Sequence, residues 1–260
     1  MTDWLALAKS NTSYLFDLIE KLVSIESPTR DKAANDEISS FTANLMRSIE
    51  GEVTVHPETE YGDHITINWP APDGSNHKQH AFIVGHLDTV WPHGTLERMR
   101  FSERKGRLYG PGVLDMKAGI ATTIVGLQVL KHNNLWPNRP IKVLFNTDEE
   151  VGSPSSRPLV EHYAKGAAYA LIMEPGQGSN GALKTERKGL GEFRISVKGK
   201  ASHAGAFPER GASAIHELSH KVLELQAMND WKNGITVNTG LISGGSARNT
   251  IPAYAEATID

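Results

Sequence analysis

The spacing of apolar positions changes several times along the chain, and each change predicts an element. Leu15, Leu18, Ile19 and Leu22 recur at helical intervals, so an amphipathic helix opens the sequence. Val53 to Val55 and Ile65 to Trp69 alternate as strands do. Ala81 to Val84 is a short apolar run closed by Gly85-His86-Leu87-Asp88, and Ile120, Ile124 and Leu127 mark a helix after Asp115. Two more apolar runs follow. Val143 to Phe145 leads to Asp148-Glu149-Glu150, and Ala170 to Met173 leads to Glu174-Pro175. Apolar strands alternating with helices predict an α/β fold, with a sheet covered on both faces by helices.

The pattern shifts near Gly181. Beyond it the spacing predicts a strand at Phe193 to Val197 and a helix through Ile215, Leu218, Val222 and Leu225. Strands at Ile235 to Leu241 and Ala253 to Ile259 complete a small α+β unit. The expected division is therefore 1–181 and 182–260.

Composition narrows the chemistry. A length of 260 residues allows one large or two modest domains, and the 39% hydrophobic share is ordinary globular usage. A net charge of −3 gives no reason to expect a nucleic-acid or anionic-membrane partner. The start lacks a basic segment followed by an apolar run, and no apolar stretch reads as bilayer-spanning, so a cytoplasmic protein is the expectation. Cysteine is absent, which leaves His, Asp and Glu as the only strong metal ligands.

Those residues cluster where strands end: His86 with Asp88, Glu149 with Glu150, and Glu174, with Asp115 at a turn. Each cluster alone is ordinary; Asp148-Glu149-Glu150, for example, reads equally as an acidic helix start. Together they stand where open α/β sheets build their sites, beyond the carboxyl ends of the strands. A His/carboxylate set without sulfur suits Zn²⁺, or Mn²⁺ and Co²⁺.

The motifs occur in a recognisable order. His86-Leu87-Asp88-Thr89-Val90 comes first, then Tyr109-Gly110-Pro111-Gly112 through Asp115-Met116-Lys117-Ala118-Gly119. Asn146-Thr147-Asp148-Glu149-Glu150-Val151-Gly152-Ser153 and Glu174-Pro175 follow, then Gly199-Lys200-Ala201-Ser202-His203-Ala204-Gly205 and Asn249-Thr250-Ile251-Pro252. The sequence resembles the M20 metallopeptidases, and among them the glutamate carboxypeptidases.

The resemblance implies a zinc-exopeptidase-like catalytic domain, built on a mixed, largely parallel sheet with flanking helices, followed by a lid and dimerisation domain. It implies a hydrolase that releases a C-terminal glutamate-like residue, with N-acyl-amino-acid deacylation as the alternative. The substrate would be a small peptide or N-acyl amino acid. His86 and Glu174 would bind one zinc, Asp115 would bridge two, and Glu150 would bind the other. Asp88 would orient His86. Glu149 would be the general base for a water bridging the ions, and the Asp115-Met116 peptide would be cis. His203 would reach the site of a partner protomer to stabilise the oxyanion, and Asn249 would bind the substrate carboxylate or the oxyanion region. Family members continue beyond the position of Asp260, supplying one more His ligand and an Arg for the substrate carboxylate. For this chain the resemblance therefore implies one zinc or none instead of two, weak hydrolysis, and a weakened homodimer.

Overall fold

The opening helix is α2 (Thr12–Ser24), preceded by the shorter α1 (Trp4–Ser10), in a computed structural model that describes residues 3–260. Its helical spacing works as expected: Leu18, Ile19, Leu22 and Val23 are buried. α3 (Lys32–Ser48) was not anticipated. Asn35, Ser39 and Thr42 stand among its buried positions, which breaks the apolar stripe a sequence reading looks for. Its start did carry a signal, because Asp31 caps it by accepting from Ala34 N at 3.1 Å.

Next come β1 (Glu52–His56), β2 (His64–Trp69) and β3 (His80–His86). A one-turn α4 (Thr95–Arg98) and a small hairpin of β4 (Ser102–Arg104) and β5 (Arg107–Tyr109) follow. Then come α5 (Ala118–His132), β6 (Ile141–Asn146), α6 (Arg157–Lys165) and β7 (Ala167–Ile172). β7 begins three residues before the run expected at Ala170 and ends one residue before Met173.

The sheet runs in the order β1-β2-β6-β3-β7. β1, β2 and β6 pair antiparallel, while β3 lies parallel to both β6 and β7. The sheet is thus mixed, with its parallel part confined to three strands. Those three send their carboxyl ends to one side, with His86 beside Asn146 and Val84 beside Ile172.

Ile83, Val143, Phe145, Ile65 and Trp69 form one core with residues of α2, α3 and α5. Across the sheet, Phe82 meets Tyr163 of α6 at 5.9 Å between ring centroids. By length and composition alone, the stretch Val113–His132 is long and apolar enough to cross a bilayer, contrary to the sequence expectation, although its backbone is not helical at Asp115 and Met116. Ile120, Ala121, Ile124 and Leu127 from this stretch are buried in the core, which is where its apolar character is used.

The chain divides into two compact units, Met1–Ala182 and Leu183–Asp260. The second holds β8 (Phe193–Lys198), α7 (Ala214–Gln226), β9 (Thr239–Gly244) and β10 (Tyr254–Ile259). Its strands run antiparallel in the order β8-β10-β9. Ala214 and Leu218 of α7 pack on Ala255, Ala257 and Ile259. β9 starts later than the expected Ile235. The Asn229 side chain takes both backbone groups of Val237, at 2.9 and 3.0 Å, and Ile235 closes a tight turn with Asp230. Those residues therefore have their hydrogen bonds met outside any ladder.

Candidate metal centre

β3 delivers His86 with 1% of its surface exposed, the ring fixed between two acidic environments. Nδ1 donates to the Asp88 backbone carbonyl at 2.9 Å, with the Asp88 carboxylate behind it at 3.4 Å. This leaves Nε2 facing a ring of acids: Asp115 Oδ1 at 3.1 Å, Glu174 Oε1 at 3.5 Å and Glu149 Oε2 at 4.0 Å. Two groups of ligand atoms each gather within 4.8 Å, His86–Glu149–Glu174 and His86–Asp115–Glu150. Residues from four separate segments thus converge on one buried imidazole. Distance alone does not separate Glu149 from Glu150 as ligand and base.

Asp115 reaches this point from a bent segment. Gly112 adopts a left-handed φ of 68°, the Asp115-Met116 peptide is cis, and Met116 is buried beneath it. Lys117 N then donates to Gly112 O at 2.9 Å. The Lys117 ammonium is itself buried and donates to Ile25 O at 2.6 Å. Glu149 and Glu150 are held differently. Their backbone N–H groups donate to the two oxygens of Asp88 at 3.3 Å each, and Thr29 Oγ1 donates to the same carboxylate at 2.8 Å.

Behind that turn, Asp148 accepts from Ser155 N at 2.7 Å, Ser155 Oγ at 2.9 Å and Ser156 N at 3.0 Å. His64, fully buried, approaches Ser155 Oγ at 2.9 Å through Nε2 and accepts from Thr147 N at 3.2 Å through Nδ1. Glu174 depends on a close approach instead: a Cβ at Gly119 would stand 2.0 Å from the carbonyl oxygen of Met173, so α5 lies directly against the residue before it.

The electrostatics register a demand for positive charge. Burial pushes the His86 imidazole down, but the hydrogen bond and charge of Asp88, with Glu149 and Glu174, raise it to about 10. Burial raises Glu174 to about 7 against the pull of His86, with Asp115 and Glu149 adding like-charge repulsion. Burial also raises Glu150, helped by Asp115, Asp88 and Glu149. The proton on His86 thus occupies the electrostatic place of a cation that the surrounding carboxylates are arranged to receive. Asp148 shows the reverse balance: burial raises it, yet the bonds from Ser156 and Ser155 hold it below the usual carboxylate range.

His203 and Asn249 belong to the second unit. Ala204 N donates to Asn249 O at 2.9 Å, and His203 bridges Thr250, so the two late motifs lie side by side. His203 Nδ1 accepts from Gly205 N and Ala206 N at 3.2 and 3.1 Å.

Sequence reading singled out the charged residues of the centre and missed the groups that hold them. Thr29, Ser155, Ser156 and His64 have no chemistry of their own to announce them. Lys117 and Gly119 sat inside the quoted motif without an assigned role, and Asp148 was noted only as a neighbour of Glu149.

A buried imidazole ringed by carboxylates at the carboxyl ends of parallel strands defines the class to which comparison also assigns the chain. It belongs to peptidase family M20/M25/M40, matched over residues 82–244. It is similar to carboxypeptidase G2 of Pseudomonas sp. (strain RS-16), at 34% identity over 244 residues, covering 93% of this chain and 58% of that one. It is also similar to acetylornithine deacetylase of Myxococcus xanthus, at 31% identity over 193 residues, 68% of this chain and 48% of the other. Among solved structures it shares its fold with aminopeptidase PepT of Bacillus cereus ATCC 10987, at a TM-score of 0.72 and 22% identity, covering 94% of this chain and 65% of that one. The chain spans less than two thirds of the length of each of these proteins.

Proposed function

We propose that this chain is part of a zinc-dependent carboxypeptidase that hydrolyses an amide bond to release a C-terminal glutamate-like amino acid. The supporting observation is the meeting of Asp115, Glu149 and Glu174 around His86 Nε2. The donor set fits a metal ion: it contains one imidazole and several carboxylates, no thiolate, and an excess of negative charge that only a cation relieves. His86, Asp115 and Glu174 would hold one ion, with Asp115 shared and Glu150 serving a second. Bound there, zinc would polarise the scissile carbonyl and lower the pKa of water.

The chain's own residues supply the remaining steps. Asp88 fixes the His86 ring and gathers the N–H groups of Glu149 and Glu150. Glu149, half-exposed, takes a proton from the attacking water and returns it to the leaving amine nitrogen. In the second unit, which we assign as a lid and dimerisation domain, His203 keeps its neutral-state proton on Nε2. Its Nδ1 already accepts two backbone bonds, so Nε2 is free to donate to an oxyanion in the site of a partner protomer. Asn249 beside it binds the substrate carboxylate or the oxyanion region.

Glu149→Gln tests the assignment. Turnover should fall by about 10²–10⁴-fold while bound zinc is retained. Loss of zinc with Glu149→Gln, and its retention with Glu150→Gln, would exchange the two roles. N-acyl-amino-acid deacylation is the second reading, favoured by the likeness to acetylornithine deacetylase. A panel of glutamyl peptides and N-acetyl amino acids separates the two activities.

A further inference from the structure

Away from these motifs, residues 216–220 read His-Glu-Leu-Ser-His. This is the spacing at which two imidazoles one helical turn apart face the same way and take a zinc ion. In α7 that spacing sits on a well-anchored helix. Ser213 caps it, accepting from His216 N at 3.1 Å, and Leu218 is buried in the core of the second unit. Both histidines are exposed, and their rings meet edge to face at 4.7 Å between centroids.

The Nε2 atoms of the two rings stand 3.4 Å apart. Two nitrogens each about 2.0–2.1 Å from one zinc ion, at a tetrahedral angle, stand about 3.3–3.4 Å apart. The separation therefore matches that of two nitrogens on one ion, and a metal would replace the imidazole–imidazole hydrogen bond the rings make with each other.

We propose that His216 and His220 form a second transition-metal site, sharing no ligand with the centre at His86. It takes Zn²⁺, or another imidazole-seeking ion such as Cu²⁺ or Ni²⁺, through both Nε2 atoms. Among the described residues no third His, Asp or Glu joins the pair to make a three-ligand group. Water fills the remaining positions, the ion is held less tightly than by three protein ligands, and no turnover is assigned to it. The practical consequence is that the zinc bound per chain exceeds what the His86 centre accounts for.

Copper and zinc themselves are the probes. The chain carrying His86→Ala, which removes the central imidazole, is titrated with Zn²⁺ by calorimetry and with Cu²⁺ by electron paramagnetic resonance. One equivalent should still bind, with hyperfine structure from two imidazole nitrogens. Adding His216→Gln and His220→Gln should abolish that equivalent without loss of helical circular dichroism, because both side chains are exposed. Should His86→Ala fail to fold, the unaltered chain is compared with His216→Gln/His220→Gln alone, and saturating zinc should drop by about one equivalent. Equal metal binding with and without the pair, or a copper spectrum with a single nitrogen, would overturn the proposal. Neither result depends on whether the chain cleaves a peptide.

Discussion

The two acidic turns that meet at His86 Nε2 are held by different means. The Asp148–Glu150 turn is hydrogen-bonded from behind: Asp148 accepts three bonds from Ser155 and Ser156, and Asp88 accepts the N–H groups of Glu149 and Glu150. The Asp115 turn has no such brace on its carboxylate, whose side chain is 57% exposed. It is fixed by what lies beside it: Met116 packed in the core, and beyond it a single hydrogen bond from the buried Lys117 ammonium to Ile25 O. A hydrogen-bonded support is directional and fails when a partner is removed. A packed support tolerates polar change and responds to volume.

Breaking the braced turn should have the largest effect. Asp148→Ala leaves the N–H groups of buried Ser156 and half-buried Ser155 without their acceptor, at roughly 1–3 kcal/mol for the buried donor and about 1 kcal/mol for the other, so a loss of about 2–4 kcal/mol is expected in denaturant unfolding. Zinc affinity should fall with it. Unchanged stability would mean that the turn is held by its packing.

The packed turn should respond to pH. Burial lowers Lys117 from 10.5 to about 7, with Glu26 pulling weakly the other way. Between those values the unfolded chain carries the extra proton, so stability should rise as pH rises from about 7 towards 10.5. Lys117→Met, which keeps the length of the side chain and removes the charge, should flatten that rise and match or exceed the parent at pH 7. A rise of the same slope in the variant would assign it to another group.

The smallest effect sharpens the contrast at one bond. Thr29→Val removes the 2.8 Å donation to Asp88 and nearly conserves volume, and should cost about 1 kcal/mol. Turnover should fall more than stability if Asp88 positions Glu149, and in step with stability if Thr29 serves folding alone.

The same contrast explains what could be read from the sequence. Strand ends carrying His86, Glu149 and Glu174 were legible because apolar runs stop abruptly at charged residues there. The α/β sheet followed from the same runs, but not the antiparallel pairing of β1, β2 and β6 that makes it mixed. α3 was not legible, since its buried face includes Asn35, Ser39 and Thr42: Asn35 reaches Pro28 O, Ser39 reaches Asp63 O, and the Thr42 hydroxyl has no partner among the described residues. β9 was misjudged because Asn229, not a neighbouring strand, meets the needs of Val237. The long-range bonds of Thr29 and His64 lay beyond any local pattern for the same reason: their partners are about 60 and 90 residues away.

Gly119 has no side chain, yet Met173 O occupies the place where one would begin. Met173 is followed by Glu174, so any replacement at 119 moves the Glu174 carboxylate through the main chain of a different segment. A screen of random variants for lost activity should therefore recover position 119 with a spectrum unlike that of its neighbours. Alanine would be nearly as damaging as tryptophan, and no conservative class would be spared. Recovery of function should come from second changes that let the β7–Glu174 connection shift, and not from changes in α5.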